Sequence, residues 1–257
     1  MGAERVTTVE LHPDPAATAR ERLAAAGLRP TVVTGDGAVG VPHGAPSDRI
    51  IATCGAPRVP GAWVSQLADG GRIVVDLRSE SSSGLIVLDR SDPEHVSGRF
   101  TGRPGHFMWM RPDPDHPLRD PAAGPHVRAH DERTTVRDVA DHPDELDRPV
   151  LRTLVGIDLP EVEMLMTGVR SLYSGDGSWA QLTDDASTVA QGGPRRLWGR
   201  VETLAGIWRQ LGSPDTDRYG VTVSSGGRHV FWLDAPSTAL PEGIGPRPIP
   251  QGDLLSG

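Results

Sequence analysis

Residues 31–40, TVVTGDGAVG, combine a β-branched run with three glycines in the spacing G-x-G-x-x-G, at Gly35, Gly37 and Gly40. A dinucleotide-binding turn uses this spacing, but its third glycine lies in a helix whose N-terminus receives the pyrophosphate. Here Gly40 is followed by VPHGAPSD, and two prolines with another glycine do not allow a helix to begin. The glycines therefore mark the end of a strand with an acidic residue, Asp36, and not a pyrophosphate site.

The segments around this turn alternate between strand and helix patterns. Strands are predicted by β-branched or apolar runs, and helices by an N-cap residue, a first-turn proline or a closing glycine. The predicted strands are 5–11, 31–33, 47–54 and 72–77, and the predicted helices are 15–26 and 59–71. Strands that alternate with helices are typical of a parallel sheet, so we expect an α/β fold.

The pattern changes after the strand RIVVDL. SGLIVLDR, HVSGRF and GHFMWM predict short antiparallel strands at the edge of the sheet, which complete a domain of residues 1–110. Residues 111–148 are rich in Pro, Asp, Arg and His and predict a flexible linker. We expect a small C-terminal α+β unit over 149–235, with a helix over 194–211 and a final hairpin, and then a disordered tail over 236–257.

Composition excludes several classes of function. The 257 residues include 34 acidic and 26 basic side chains, for a formal charge of −8, which disfavours a nucleic-acid partner. No run of residues approaches the ~20 apolar positions of a membrane helix. The one cysteine, Cys54, excludes an internal disulfide framework and favours a reducing compartment. We therefore expect a cytoplasmic protein with neither a nucleic-acid nor a membrane partner.

Two acidic residues stand at the ends of predicted parallel strands, Glu10 after VTTV and Asp36 after TVVTG. Open α/β sheets bind ligands at the carboxyl edge of their strands. Glu10 there suits two ribose hydroxyls, and Asp36 suits the exocyclic amine of an adenine. The alternative is that both are turn residues, with Asp36 supporting a tight loop.

Several motifs together resemble one family. RVTTVEL, TGDG, APSDRIIATCGAPRVP and LADGGRIVV match, in order and spacing, the protein-L-isoaspartate O-methyltransferase family, and GRFTGRPGHFMWMR resembles a segment of its actinobacterial members. The similarity covers about residues 3–111. It implies a Rossmann-like, S-adenosylmethionine-dependent methyltransferase sheet, and transfer of a methyl group to the side-chain carboxylate of Asp or isoAsp in a peptide or protein substrate.

The resemblance also implies roles for individual residues. The cofactor-binding residues are Glu10, Leu11, Asp36 and Gly37, with Glu10 at the ribose and the Asp36–Gly37 loop at the adenine. On the substrate side, the implied residues are Thr53, Cys54 and Pro57. A carboxylate acceptor is already a nucleophile at neutral pH, so we expect positioning and desolvation to dominate, and we assign no catalytic residue.

One family element has no counterpart in the sequence. The family places a strand and a glycine-rich turn of the type E-x-G-x-G-x-G roughly 20 residues before the Glu10 strand, at the middle of the sheet. Without that first strand, the strands of Glu10 and of residues 47–54 are expected to expose unpaired backbone groups. Three interpretations stay open: Met1 is internal to a longer reading frame, the chain is an inactive remnant that binds a peptide or partner, or a completing chain supplies the strand.

The C-terminal unit carries a second resemblance. DGSW, QGGPRRLW and YGVTVSSGGRHVFWLD are similar to the extension of methyltransferases encoded beside ribosomal-peptide maturases, including ATP-grasp systems. This implies a peptide-maturation enzyme as a partner. Within QGGPRR, Arg195 and Arg196 either bind an acidic peptide or are surface residues.

The remaining residue patterns favour structural roles. The histidines lack the paired spacing of a zinc site, so we expect no metal. Cys54 has no histidine partner placed by the sequence and is expected to be a small buried thiol. The C-terminal tryptophans follow helix and strand spacing, which favours a core over a peptide-gripping surface.

Overall fold

The computed structural model describes residues 5–110, 134–139, 148–165, 170–183, 185–241 and 244–245. Its helices and strands mix in the way the sequence predicts for an α/β fold, around a central sheet with both parallel and antiparallel pairs. The helices are α1 (Pro13–Ala25), α2 (Gly61–Ser65), α3 (Pro149–Asp158) and α4 (Leu197–Gln210). The strands are β1 (Thr7–Glu10), β2 (Thr31–Thr34), β3 (Ser47–Ala56), β4 (Leu67–Arg78), β5 (Ser83–Asp92), β6 (His95–Phe100), β7 (Thr135–Asp138), β8 (Glu163–Leu165), β9 (Ser171–Tyr173), β10 (Trp179–Leu182), β11 (Thr188–Gly192), β12 (Tyr219–Ser224) and β13 (His229–Leu233).

The first unit is a parallel pair, β1 and β2, joined by α1. The register runs from Thr7 opposite Thr31 to Glu10 opposite Thr34. Helix α1 begins two residues before the predicted start, because Pro13 fits the first helical position, where no amide donor is needed. Of residues 5–46, only Ala16 is buried. This unit therefore has almost no core of its own.

A six-stranded sheet forms the central part of the molecule, in the order β13-β12-β6-β5-β4-β3. The β3–β4 pair is parallel, as predicted for the crossover through α2, and the other pairs are antiparallel. Ile73, Val75, Ile86 and Leu88 on the central strands are fully buried. Helix α3 packs Leu151 and Leu154 into the same core. Apolar burial therefore concentrates in this sheet.

The C-terminal hairpin belongs to this sheet. β12 pairs with β6, from Gly220 opposite Arg99 to Ser224 opposite His95. The sequence predicts that this hairpin belongs to a separate C-terminal unit. The structure instead pairs its first strand with β6 of the central sheet. The cause is non-local: β6 offers a free edge that matches β12 in length. The division into domains by residue ranges remains a prediction.

The second half also builds a five-stranded antiparallel sheet, in the order β7-β11-β10-β9-β8, with α4 against it. Trp198 on α4 and Val189 on β11 are buried in its core. Trp208 is buried in the core of the central sheet, and Trp232 on β13 is also buried. The structural role predicted for the C-terminal tryptophans is therefore confirmed for these three, while Trp179 is half-buried.

Two segments expected to lack structure are partly folded. β7 lies within the predicted linker 111–148, because its backbone pairs with β11; the linker's other residues before 148 and outside 134–139 lie outside the described residues. In the predicted tail, Ala239 forms an antiparallel bridge with Trp232, and Leu240 packs on the central core. Tertiary pairing organises both segments where local composition favours disorder.

The predicted helix over 59–71 is also shorter than expected. α2 ends at Ser65, and β4 already begins at Leu67, which pairs with Ser47. GHFMWM was predicted as an antiparallel strand and instead provides one parallel bridge, Trp109 opposite Gly55. The pairing that decides these conformations lies far away in sequence, so local patterns predict them poorly.

The strand edges expected from the sequence to be open, those of β1 and β3, have no further strand beside them among the described residues. β1 pairs only with β2, and β3 has β4 on one side and only the Trp109 bridge on the other. Ile51 on β3 is 69% exposed, and Val6 beside β1 is 51% exposed. Apolar strand edges of this kind are templates for pairing with another strand.

The described helices are too short or too polar to cross a membrane.

Candidate functional site

The carboxyl ends of β1 and β2 bring together the residues predicted to bind a cofactor. The amide of Gly35 donates a hydrogen bond to the carbonyl of Glu10 at 2.9 Å, which places the loop after β2 beside the end of β1. Glu10 accepts a hydrogen bond from the amide of His12 at 3.2 Å, and Asp36 accepts one from the amide of Ala38 at 2.8 Å. Each carboxylate is thus oriented by its own turn.

The loop that carries Asp36 is held by the segment around α2. The indole of Trp63 donates a hydrogen bond to the carbonyl of Gly37 at 2.8 Å. The Gln66 amide accepts one from the amide of Val41 at 2.7 Å and donates one to the carbonyl of Val39 at 2.8 Å. The loop is therefore held both by hydrogen bonds within its own unit and by side chains of α2 and the residue that follows it.

Space and free acceptors remain at this edge. A β-carbon on Gly35 or Gly37 would meet no atom within 4 Å, so the loop is open on the side of these glycines. The Oε2 atom of Glu10 and the Oδ2 atom of Asp36 accept no hydrogen bond from the described residues, and Leu11 is half-buried next to Glu10. These features suit the hydroxyls of a ribose and the flat ring and amine of an adenine.

The predicted substrate-side residues stand at the carboxyl end of β3 and just after it. Thr53 and Pro57 are exposed, and Cys54 is half-buried. Burial, and then the negative charge of Asp76, raise the pKa of the Cys54 thiol above its ordinary value. A protonated thiol is a poor nucleophile, which agrees with the structural role expected for Cys54.

The loop after Pro57 is fixed by the C-terminal hairpin. The amide of Val59 donates a hydrogen bond to Nε2 of His229 at 3.0 Å, and Nδ1 of His229 lies 3.0 Å from the carbonyl of Gly227. Burial lowers the pKa of His229, the Gly227 carbonyl opposes that shift, and Arg58 adds to it. His229 therefore supports the loop as a neutral imidazole.

A buried polar network beneath this edge was missed in the sequence. Asp76, with no exposed surface, accepts hydrogen bonds from the Ser83 hydroxyl at 2.8 Å and the amide of Phe107 at 3.2 Å. Ser83 in turn accepts hydrogen bonds from the amides of Gly105 and His106. The network holds residues 105–107 over the ends of β3 and β4. An aspartate inside the apolar run RIVVDL was the available signal.

Other candidate residues have structural roles. Arg195 forms ion pairs with Asp176 at 2.6 Å and Glu161 at 2.7 Å. Burial acts to lower the pKa of Arg195, but the two carboxylates raise it above its ordinary value. This guanidinium is therefore engaged within the fold, while Arg196 is exposed. No group of three or more metal-ligating side chains occurs among the described residues; His116, His126, His130 and His142 lie outside them.

Comparison with known proteins agrees with the motifs. Residues 2–102 match the family model for protein-L-isoaspartate(D-aspartate) O-methyltransferase. A protein-L-isoaspartate O-methyltransferase of Methylorubrum populi is 40% identical over 102 residues, which cover 40% of this chain and 48% of that protein. The enzyme of the same name from Methanoregula boonei is 38% identical over 113 residues, which cover 42% of this chain and 52% of that protein.

The match is partial in length. The chain spans about half the length of the curated relatives that it matches. A solved structure of a protein-L-isoaspartate O-methyltransferase superimposes on 90% of this chain and 68% of its own, with 18% identity and a TM-score of 0.47. The resemblance read from the motifs is therefore confirmed by sequence over residues 2–102, and this part of the chain is similar to the protein-L-isoaspartate O-methyltransferase family.

Proposed function

We propose that this chain takes part in methyl transfer from S-adenosylmethionine to a side-chain carboxylate of Asp or isoAsp in a peptide or protein. One observation carries the proposal: the family-matched segment places Glu10 and the Asp36–Gly37 loop side by side at the carboxyl end of a parallel strand pair. Open α/β sheets bind nucleotides at this edge.

In this proposal, Glu10 accepts hydrogen bonds from the ribose hydroxyls and Asp36 accepts one from the adenine amine, with Gly37 leaving room for the ring. Leu11 lies beside the ribose. Thr53, Cys54 and Pro57 border the acceptor at the end of β3. Among the described residues we assign none to the methionine end of the cofactor. The residues present therefore fit the nucleoside end of S-adenosylmethionine.

The chemistry demands little from the protein beyond position. When bound, the cofactor supplies a methyl group activated on a sulfonium ion. The acceptor carboxylate is ionised at neutral pH, so no proton has to be removed from it. The chain's task is then to align the acceptor oxygen with the methyl group and to exclude water.

The test is calorimetric binding of S-adenosylhomocysteine to the purified chain. We expect Glu10→Ala and Asp36→Ala each to weaken binding by about tenfold or more, since each removes charge-assisted hydrogen bonds. Glu21→Ala is the matched control, because Glu21 is exposed on α1 and its side chain forms no hydrogen bond or ion pair with the described residues. A folded chain that does not bind S-adenosylhomocysteine, or that binds it equally well after both changes, contradicts the proposal.

The open edges of β1 and β3 support a second part of the proposal. We infer that a completing chain adds one extended strand to these edges, because open strand edges are templates for pairing and the exposed apolar side chains beside them are stabilised by being covered. Ile51→Lys tests this. We expect the unmodified chain to self-associate through its edges in sedimentation experiments, and the lysine to reduce that association, as edge lysines do. If the chain is monomeric with isoleucine as well as with lysine at position 51, the inference is contradicted.

Two further parts of the proposal have narrower support. A peptide-maturation enzyme is proposed as a partner on the resemblance of the C-terminal segment. The cytoplasm is proposed as the compartment, since Cys54 is a free thiol.

A further inference from the structure

A second cleft, outside the proposed cofactor edge, lies where the central sheet meets α3. Its volume is about 360 Å³. One wall is the end of β4 with the serine run 79–83, and the other is the first turn of α3, including Pro149 and Arg152. The roles proposed so far do not use this cleft.

The walls of the cleft are well defined. The amide of Ser79 donates to the carbonyl of Ser82 at 2.8 Å, and the amide of Ser82 donates to the Ser79 hydroxyl at 3.0 Å, which closes a tight turn. Helix α3 touches this turn through Gly156, where a β-carbon would lie 2.2 Å from the Ser82 hydroxyl. A side chain at that position would push the helix away, so glycine lets the two walls meet.

The lining of the cleft is positively charged in an acidic chain. Arg78, Arg103 and Arg152 line it, against one carboxylate, Glu80, among the described lining residues. The chain as a whole carries a formal charge of −8. The cleft is therefore locally positive on a negatively charged chain, and a positive cleft attracts an anion.

Two of these arginines have different surroundings. Arg78 is held in place, because it donates to the carbonyl of Phe107 and its guanidinium lies 4.8 Å from the ring centre of Trp109. Arg103 is exposed, and its guanidinium forms no hydrogen bond or ion pair with the described residues. One cation is thus fixed and the other is available to a ligand.

The cleft borders the predicted substrate side. A β-carbon on Gly55 would lie 2.8 Å from Cδ of Arg78. Gly55 directly follows Cys54 on β3. A peptide whose acceptor lies at Thr53 and Cys54 would therefore lie close to Arg78, which lines the cleft together with Arg103.

We propose that this cleft binds an acidic side chain of the peptide substrate, close to the residue that is methylated. The inference rests on the proposed function for its substrate, and on the arginine lining for the charge of the bound group. The planar guanidinium pairs with a carboxylate through two parallel hydrogen bonds, and the serine hydroxyls can donate to the same oxygens. The site selects an anionic residue beside the acceptor.

The experiment measures binding of a fluorescein-labelled, aspartate-rich peptide to the full chain by fluorescence anisotropy, without any methyl donor. A peptide with every Asp replaced by Asn is the matched probe. We expect Arg103→Glu to weaken binding of the aspartate peptide by about tenfold or more, and Arg103→Lys to retain part of it. Arg228→Glu is the matched control, since Arg228 is exposed on the β12–β13 turn, away from the cleft lining.

Three results overturn the inference: equal binding of the Asp and Asn peptides, equal losses for Arg103→Glu and Arg228→Glu, or tighter binding of inorganic phosphate than of the peptide with the same dependence on Arg103. Unchanged thermal unfolding of Arg103→Glu shows that the fold is intact. No methyl donor is present in the peptide experiment, so its outcome does not depend on cofactor binding. Failure of S-adenosylhomocysteine binding contradicts the proposed function but not peptide binding in the cleft. Failure of peptide binding contradicts the cleft proposal but not the proposed function.

Discussion

The β1–α1–β2 unit and the six-stranded sheet differ sharply in how they are stabilised. The first unit buries one side chain, Ala16, while the sheet packs a continuous core against α3. Yet the residues proposed to hold the nucleoside lie on the first unit. If the proposed function holds, ligand binding and fold stability are carried by separate parts of the chain, with a few hydrogen bonds between them.

This separation has an energetic consequence. A weakly packed unit opens locally at low cost, and a ligand that binds only its closed form stabilises it by mass action. A strand added to the edges of β1 and β3 would act in the same direction. Occupancy of the site and order in the first unit should therefore rise together.

The largest expected effect contrasts two apolar truncations. Leu88→Ala in the fully buried core of the sheet should lower the free energy of unfolding by about 2–5 kcal/mol, since it leaves a cavity. Val33→Ala on half-buried β2 should cost about 1 kcal/mol or less, because little apolar area is lost. Urea unfolding followed by circular dichroism measures both, and equal costs would remove the distinction between the two regions.

A smaller effect is expected where the regions join. Gln66→Leu removes both hydrogen bonds to Val39 and Val41 and should release the loop that carries Asp36. We expect S-adenosylhomocysteine binding to weaken by up to about thirtyfold, from about 1 kcal/mol for each of the two lost hydrogen bonds, with little change in urea unfolding. Gln210→Leu, on the exposed end of α4, is the control. A loss of global stability without a loss of affinity would place Gln66 in the core instead.

The smallest effect depends on pH. Because burial lowers the pKa of His229, its contribution to stability is complete above the ordinary value of about 6.5 and is lost as the pH falls below it. Protonation would also break the hydrogen bond from Val59, worth about 1 kcal/mol. Urea unfolding from neutral to mildly acidic pH should therefore show a shallower pH dependence for His229→Gln than for the unmodified chain. His43→Gln, at an exposed position, should keep the pH dependence of the unmodified chain. The same pH dependence for the unmodified chain, His229→Gln and His43→Gln would contradict the stabilising role of neutral His229.

Local patterns predicted the elements whose signals are contained in the sequence itself. The strands of the parallel pairs, α1, and the termination at Gly40 follow from β-branched runs, prolines and glycines. The region after Gly40 contains a short 3₁₀ turn at Pro42–Gly44 and no α-helix, as expected. The edge with Glu10 and Asp36 could be predicted because strand direction alone fixes which ends of the strands meet.

The rest depends on contacts between distant residues. Helix α3 was not predicted, since its stability comes from packing on the sheet and the serine turn. The hairpin pairs with β6, and Trp109 forms a bridge with Gly55. Local sequence patterns do not show which strand edge a segment pairs with, so neither pairing could be predicted. The arginine cleft likewise assembles from separate segments between Arg78 and Thr216, which only the folded chain brings together.

The most direct test of this account is hydrogen–deuterium exchange, read by mass spectrometry, with and without S-adenosylhomocysteine. We predict fast exchange over residues 5–46 and strong protection of β4 and β5 in the free chain. The ligand should then slow exchange at β1 and at the loop of residues 35–41, and leave β12 and β13 unchanged. Uniform protection in the free chain, or a ligand effect confined to the central sheet, would contradict the separation of binding from stability.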